Sequence, residues 1–536
     1  MPGDVTTLPL RPTTTAVRRG GPRSWLARGR AGALVGADSG TLIAALALVS
    51  IVALSLFVVL MAANRPSVLT PTTHAGFYPS WMAGPLGGLL HGFTNNGDTL
   101  RHLFSAAVVV MYVGYAIVLK HAPRLPARWT VAAILAAHAI FLLSPPLALT
   151  DLFNYINYGR MEVVHNLNPY TTIPILEPHS DPAFMLSNWH ELLSPYGPLF
   201  TLLTFVVVPL GVAGSFWALK GILMLASLAT ILLVWKCARL LGRDPQRAIA
   251  LVGLNPIVLV WGLGGDHNDF LMVVFIMLGF YLLLLARSRA AAREDGEAAD
   301  WRSWLHVRAL LAPLSALELG AGAAFVTAVA IKASAAILLP VVLAGLLRAP
   351  RALVQMVLGM LIAGVLVAAA SLLAFGAHIP DLSTQSSVVT SESIPNLIGL
   401  AAGAGGETSG LRQALSVVLV ALVFACAWFA WGGRRGGRAR AGAGGGLERA
   451  IIASGWASVA LLVTLSWVLP WYVLWVLPLA ALSSSRRLRT VALVLGAWLI
   501  IAWAPASSGL WDTLHFYPEK TPLGRLHQRL VKELLD

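Results

Sequence analysis

The 536-residue chain has two cysteines, Cys237 and Cys426, both in or beside apolar runs. That is too few for a disulfide framework or a cysteine-based metal site. Charge is also scarce. Asp, Glu, Lys and Arg make up 12% of residues, against 57% hydrophobic, which excludes an ordinary soluble domain. No long hydrophilic segment separates the apolar runs, so one integrated membrane domain is expected. No internal repeat is visible, and repeats are common in transporters.

The charge that is present leans basic, with 38 Lys and Arg against 24 Asp and Glu, a net +14. Its placement argues against nucleic acid as a partner. The basic residues gather in short stretches between apolar runs, as they do beside the inner face of a membrane. Residues 1–40 carry Arg11, Arg18, Arg19, Arg23, Arg28 and Arg30 among Thr, Pro and Gly, and read as a disordered cytoplasmic tail. The run 41–62 is of full span length, so it is not a cleavable signal.

With the N-terminus inside, spans are expected at 41–62, 102–119 and 129–149, the third delivering Asp151 to the outer side. The run 198–211 is bounded by proline and, at about 14 residues, falls short of the ~20 a spanning helix needs. It is read as dipping into the membrane. Further spans are expected at 217–235, 248–263, 270–286, 309–331, 333–347, 352–375, 411–431, 450–469, 472–484 and 490–506. The expected fold class is thus an all-α polytopic membrane protein with about 13 transmembrane helices and short outer juxtamembrane helices. The transmembrane domain is 41–506, with outer loops 63–100, 150–197 and 376–410. The tail 507–536 is extracytoplasmic. The 376–410 loop has no Lys or Arg.

This threading, built from Lys and Arg counts, gathers polar groups from distant segments on the outer side: Asp151, the run Asp266-His267-Asn268-Asp269, Lys332, and the aromatics Trp467, Trp471 and Tyr472. Each has an ordinary alternative. Asp151 can cap the helix that follows it, and Asp269 or Asn268 the span at 270, while Lys332 can snorkel or pair with Glu318. Trp475 reads as interfacial belt, and Asn168-Pro169-Tyr170 and the segment 194–198 are first of all turns. Ionisable residues amid membrane segments are nonetheless functional candidates by default. Asp151, Tyr155 and Tyr158 share one face of a helix, with Arg160 a turn beyond Ile156. An acid flanked by tyrosines suits sugar recognition, the rings stacking on the sugar and the carboxylate accepting a proton from its hydroxyl.

The ordered set DLFNYINYGR (151–160), NPY (168–170), SPYGPL (194–199), GGDHND (264–269), IKASAAILLP (331–340) and LPWYVLW (469–475) resembles the GT-C class of membrane glycosyltransferases. It is most similar to the polyprenol-phosphomannose-dependent α-1,6-mannosyltransferases of mycobacteria and corynebacteria. The resemblance implies a GT-C fold in the plasma membrane with an extracytoplasmic site. Its partners would be a polyprenyl-phosphate-mannose donor, an α-mannoside glycolipid acceptor and the lipid bilayer. The product would be the α-1,6-mannan core of lipomannan and lipoarabinomannan, formed with inversion. Asp151 is then the general base. Lys332, His267 and Arg160 are the expected donor-phosphate ligands. Tyr155, Tyr158, Asn168, Tyr170, Tyr196, Asp266, Asp269, Trp471 and Tyr472 are the expected sugar-binding residues. Asp266 and Asp269 could instead hold a divalent cation, although no Asp-x-Asp motif is present. Other readings stay open: a transferase using another polyprenyl-phosphate sugar, a ligase for lipid-linked glycans, or a transporter or flippase for lipid-linked sugars.

Overall fold

A computed structural model describes residues 38–64, 69, 78–94, 96–147, 151–292, 314–382, 388–432, 445–504, 525 and 529. The basic tail up to residue 37, the basic run 434–440 and nearly all of 507–536 lie outside the described residues. Every element among the described residues is helical. Seven stretches among the described residues are long and apolar enough to cross a membrane: Ser39–Ala63, Gly97–Arg124, Pro198–Leu240, Asp269–Ala292, Pro350–Phe375, Ser409–Trp431 and Gly445–Thr464. Such helices satisfy every backbone polar group internally, which a lipid environment demands.

Pro198–Leu240 is not one straight rod. Helix Pro198–Val207 has 10 residues, about 15 Å, roughly half the bilayer core. A 3₁₀ turn and Gly211, with φ 71°, then turn the chain into the long helix Gly211–Leu240.

Several expected spans are short or broken. Helix Ala127–Leu142 has 16 residues, and so does Ala316–Ile331. The run 248–263 is a helix, Pro245–Gly253, followed by a π turn, Val258–Leu263. The 333–347 run is a 3₁₀ segment, Ala333–Leu338, joined to helix Leu339–Leu346, and 472–484 is Pro470–Trp475 joined to Leu477–Leu482. Proline explains where these segments break. Pro256, Pro340, Pro470 and Pro478 each lack an N–H and crowd the preceding turn. Irregular backbone at membrane depth survives where protein surrounds it, and 257–263 and 470–482 are buried throughout.

Helix Ala316–Ile331 packs against both Asp269–Ala292 and Pro350–Phe375. The second contact is close enough that a Cβ on Gly322 would collide with the Met356 carbonyl, and one on Gly359 with the Leu319 carbonyl. Small residues bring membrane helices together in this way. Helices Pro350–Phe375 and Ser409–Trp431 expose Leu361, Ile362, Val365, Leu366, Val417, Val420, Phe424 and Trp428. Apolar on nearly every side, they suit a lipid-facing position.

The two loop sets drawn from the Lys and Arg counts meet at different ends of the bundle. Arg243 and Arg247 meet Arg489 at one end. Asp151, His267, Asp269 and Lys332 meet at the other. Along helix Asp269–Ala292, Asp269 and Arg287 are about 27 Å apart.

Candidate active site

Asp151 is the first residue of helix Asp151–His165, where the positive end of the helix dipole favours a carboxylate. It is buried. Its Oδ2 lies 3.3 Å from His267 Nδ1, and the Tyr196 hydroxyl points at Oδ1 from 3.5 Å. Burial pushes its pKa up to about 7, with Lys332 opposing and Asp269 assisting. A carboxylate poised near neutrality is what a general base at physiological pH requires. Burial and then the Lys332 charge hold the His267 imidazole well below its ordinary value, so it is neutral. The ring stacks flat on Trp471, centroids 3.3 Å apart, and Nε2 is buried with no hydrogen-bond partner. His267 thus meets Asp151 through Nδ1 and leaves Nε2 unpartnered.

The second half of the site is built around Asp269. Its carboxylate receives Lys332 Nζ at 2.9 and 2.8 Å and the Trp475 indole N–H at 2.5 Å. Neither helix capping by Asp269 nor pairing of Lys332 with Glu318 describes the arrangement. Trp475, read from sequence as interfacial belt, is buried and holds Asp269 in place. Lys332 Nζ sits 4.9 Å from the Tyr472 ring centroid and 5.6 Å from that of Trp475. The Asp269 side chain is 1% exposed and Lys332 21% exposed. Lys332 is therefore the member of the pair that can meet a ligand. Its backbone is extended, φ −150° and ψ 121°, at the break between Ala316–Ile331 and Ala333–Leu338. The Gly197 N–H bonds to the Ile331 carbonyl just before it, and a Cβ on Gly197 would strike the Ala330 backbone. The turn at 194–198 thus fixes where Lys332 leaves its helix.

Asp266 faces elsewhere. Its carboxylate takes Lys220 Nζ at 2.9 Å from both oxygens, and both side chains are buried. Asp266 has φ 58°, rare for a residue with a Cβ. Lys220, within helix Gly211–Leu240, thus anchors a strained turn that aims His267 and Asp269 inward. Nothing in the local sequence marks Lys220 beyond its being a lysine in an apolar run. Each acid of the GGDHND run is paired with a lysine, so the two carboxylates do not converge on a shared cation. Among the described residues no group of three or more His, Cys, Asp or Glu could hold a metal.

Several other expected site residues serve as scaffold. Arg160 lies about 13 Å along its helix from Asp151 and forks onto Asp181 at 2.8–3.0 Å, with His165 on the same carboxylate. It is engaged by the residue that caps helix Pro182–Leu186. Asn168 donates to the Phe375 carbonyl, and the Tyr170 hydroxyl to the Tyr196 carbonyl. Tyr158 donates to the Leu192 carbonyl, while Tyr155 accepts from the Asn268 N–H. The Tyr155 ring is wedged edge-on between Tyr196 and Phe200, each 4.8 Å away. These rings are buried in the packing that surrounds Asp151. Trp471 and Tyr472 are likewise occupied, by His267 and by Trp475, which stacks on Tyr472 at 4.2 Å.

A different set of polar atoms is unused. Asn154 Nδ2, Asn157 Oδ1, Glu177 Oε2, Ser194 Oγ and both side-chain ends of Asn268 are buried without hydrogen-bond partners. Asn154 follows Asp151 at i+3, on its helical face, and Asn157 lies three residues further along the same helix. Asn157 donates to Glu177 at 2.6 Å, and burial lifts the Glu177 pKa to about 7. Trp189, partly exposed, lies parallel to Tyr196 at 6.5 Å. Starting with the residue after Lys332, a cavity of about 620 Å³ is lined by Ala333, Ser334, Ile337, Leu419, Val423 and Phe424, almost wholly apolar.

The family model described as "Alpha-(1->6)-mannopyranosyltransferase, N-terminal domain" matches residues 67–348, which include Asp151, His267, Asp269 and Lys332. Alpha-(1->6)-mannopyranosyltransferase A of Mycobacterium tuberculosis is 29% identical over 414 residues, covering 71% of this chain and 70% of that protein. A probable alpha-(1->6)-mannopyranosyltransferase of Mycolicibacterium smegmatis is 27% identical over 410 residues, covering 69% and 67%. Alpha-(1->6)-mannopyranosyltransferase A of Corynebacterium glutamicum is 28% identical over 153 residues, covering 27% and 30%. No solved structure matches the chain.

Proposed function

The chain belongs to the alpha-(1->6)-mannopyranosyltransferase family, and from that premise we propose that it moves mannose from polyprenyl-phosphate-mannose to the 6-hydroxyl of an α-mannoside acceptor, within a GT-C fold. The reaction takes place on the extracytoplasmic face of the plasma membrane and extends the α-1,6-mannan core of lipomannan and lipoarabinomannan. The observation that carries this reading is that Asp151, poised near neutral pH, feels the charge of a part-exposed Lys332, which immediately precedes Ala333 and Ser334 in the wall of an apolar cavity.

The donor's phosphate would sit on Lys332 with its prenyl chain along Ile337, Leu419, Val423 and Phe424. Asp269 and the Tyr472 and Trp475 rings hold the ammonium in place. The acceptor's 6-hydroxyl gives its proton to Asp151, and its oxygen attacks the anomeric carbon. The bond from that carbon to the phosphate oxygen breaks, and its electron pair leaves with polyprenyl phosphate. Attack from the opposite face inverts a β-linked donor to an α product. Lys332 stabilises the negative charge on the departing phosphate. His267 orients Asp151 from Oδ2 and Tyr196 from Oδ1. The unpartnered atoms of Asn154, Asn157 and Glu177 support recognition of acceptor hydroxyls, with Trp189 as a stacking face.

The test is a membrane assay with radiolabelled polyprenyl-phosphomannose and short α-1,6-mannoside acceptors. Wild type should lengthen the acceptor by an α-1,6-linked mannose, and Asp151→Ala should not. Movement of the lipid-linked sugar across the bilayer with no longer product would overturn the reading in favour of a flippase.

A further inference from the structure

The end of the bundle away from Asp151 carries a second built feature. Asp244 caps helix Pro245–Gly253 through the N–H groups of Gln246 and Arg247, and Ser485 caps Arg486–Trp503 through the Leu488 N–H. These two helix starts place Arg243 and Arg247 against Arg486 and Arg489. Two cavities of about 280 and 190 Å³ adjoin there, sharing Arg247, Leu251 and Arg489. Leu119, Leu251 and Leu493 give the larger one an apolar wall. Ser484 and Thr490 add hydroxyls to the rim.

The acids nearby are already engaged. Asp244 lines the smaller cavity but accepts from its own helix N-terminus, and Glu448 pairs with Arg243. Arg489 donates to the Ser483 carbonyl, while the Arg247 and Arg486 side chains are exposed. Burial, then the charges of Arg247, Arg243 and Arg486, hold the Arg489 guanidinium below its ordinary value. Like charges from segments far apart in sequence have been drawn together at an electrostatic cost. Topology alone does not require this, because basic residues orient a membrane protein from anywhere in the loop. Convergence around a concave, half-apolar site fits an anion carrying a hydrocarbon chain. Basic pockets between helices at the inner face take such headgroups.

We propose that this is a binding site for the phosphate headgroup of an anionic lipid in the leaflet opposite the catalytic face. Arg247, Arg486 and Arg489 surround the phosphate, and an acyl chain runs along Leu119, Leu251 and Leu493. Arginine suits the role, since its planar fork meets two phosphate oxygens at once.

The test uses the full-length protein in a neutral detergent, with bound lipid read by native mass spectrometry against added phosphatidylglycerol or phosphatidylcholine. Wild type should retain phosphatidylglycerol about a hundredfold more strongly, as three arginines each contribute about fivefold. Arg247→Gln/Arg486→Gln/Arg489→Gln should reduce that preference to about parity while leaving mannosyl transfer in detergent unchanged. Arg486→Gln alone, at an exposed position, should lower it about fivefold and guards against misfolding of the triple variant. Equal retention of the two lipids by wild type, or an undiminished preference in the variants, would overturn the proposal. So would inorganic phosphate displacing phosphatidylglycerol at concentrations comparable to the lipid, which would identify the ligand as a free anion.

Discussion

Replacing Asp151 with asparagine tests the base and its electrostatics together. The side chain keeps its size, and its carbonyl oxygen can still accept from His267 Nδ1, which lies 3.3 Å from Oδ2 in the wild type. What it loses is ionisation. Burial carries the Asp151 pKa from 3.8 to about 7, so the folded protein disfavours the ionised form. At 1.36 kcal/mol for each tenfold, that is about 4 kcal/mol. The folded state holds the proton more tightly than the unfolded state. The penalty is therefore absent below pH 3.8, grows as pH rises towards about 7, and is constant above that. Asparagine never bears it. Asp151→Asn is expected to be more thermostable than wild type at pH 8, with the difference shrinking by about 2–3 kcal/mol at pH 5. Transfer should fall by about 10²–10⁴-fold, the range of a lost general base and equivalent to about 3–5 kcal/mol of barrier. Wild-type activity should rise with pH through about 7 and level off. The measurements are the Tm of purified protein at pH 5 and pH 8 and mannosyl transfer from labelled donor. Transfer within threefold of wild type in a folded variant would refute the base assignment. A Tm difference that does not change between pH 5 and pH 8 would refute the burial argument.

Lys332→Met should lower kcat/KM for the lipid donor by about 10²–10³-fold through loss of charge at the leaving phosphate, with Lys332→Arg recovering part of it, as read from donor titrations. Lys220→Met leaves Asp266 buried and unpaired, so it should cost about 3–5 kcal/mol of stability. Adding Asp266→Asn, which removes the charge and tolerates the left-handed backbone at this position, should return much of that in thermal denaturation, and no recovery would mean the pair carries no buried-charge penalty. Trp475→Phe removes the indole N–H from the Asp269 carboxylate, a loss of about 1.5–3 kcal/mol. It should raise donor KM more than it lowers kcat. Gly197→Ala, placed against the Ala330 backbone, should reduce transfer severely while the protein still inserts into membranes, as measured by activity per unit of membrane-extracted protein.

The membrane character was legible because it rests on composition and run length alone. So was the sorting of loops into two groups, since the charges that orient membrane proteins are counted along the chain. That sorting already placed Asp151, His267, Asp269 and Lys332 together. The number of spans was not legible in the same way. A run such as 248–263 is hydrophobic whether it crosses lipid as one helix or lies broken inside protein, and hydropathy cannot separate the two. Roles within the site were harder still. Arg160 and Lys332 look alike as cations in motifs, and each pairs with an aspartate, yet the partner of Arg160 is Asp181 while that of Lys332 is Asp269, beside Asp151. Tyr155 and Tyr158 do share a face with Asp151, but that face is turned into the protein.

By itself, then, the sequence determined a helical membrane protein with a cluster of acids, a histidine and a lysine at one end and arginines at the other. Run length, periodicity and charge placement are local properties, and they needed no fold to be read. Tertiary structure decided which ions pair. Asp266 went to Lys220 and Asp269 to Lys332, although the two acids are three residues apart. The left-handed backbone at Asp266 and the breaks before Lys332 and Pro470 set the directions in which those side chains leave the chain. A few ångströms of helix rotation separate a buried pair from an unpaired charge, and the packing of distant helices fixes that rotation.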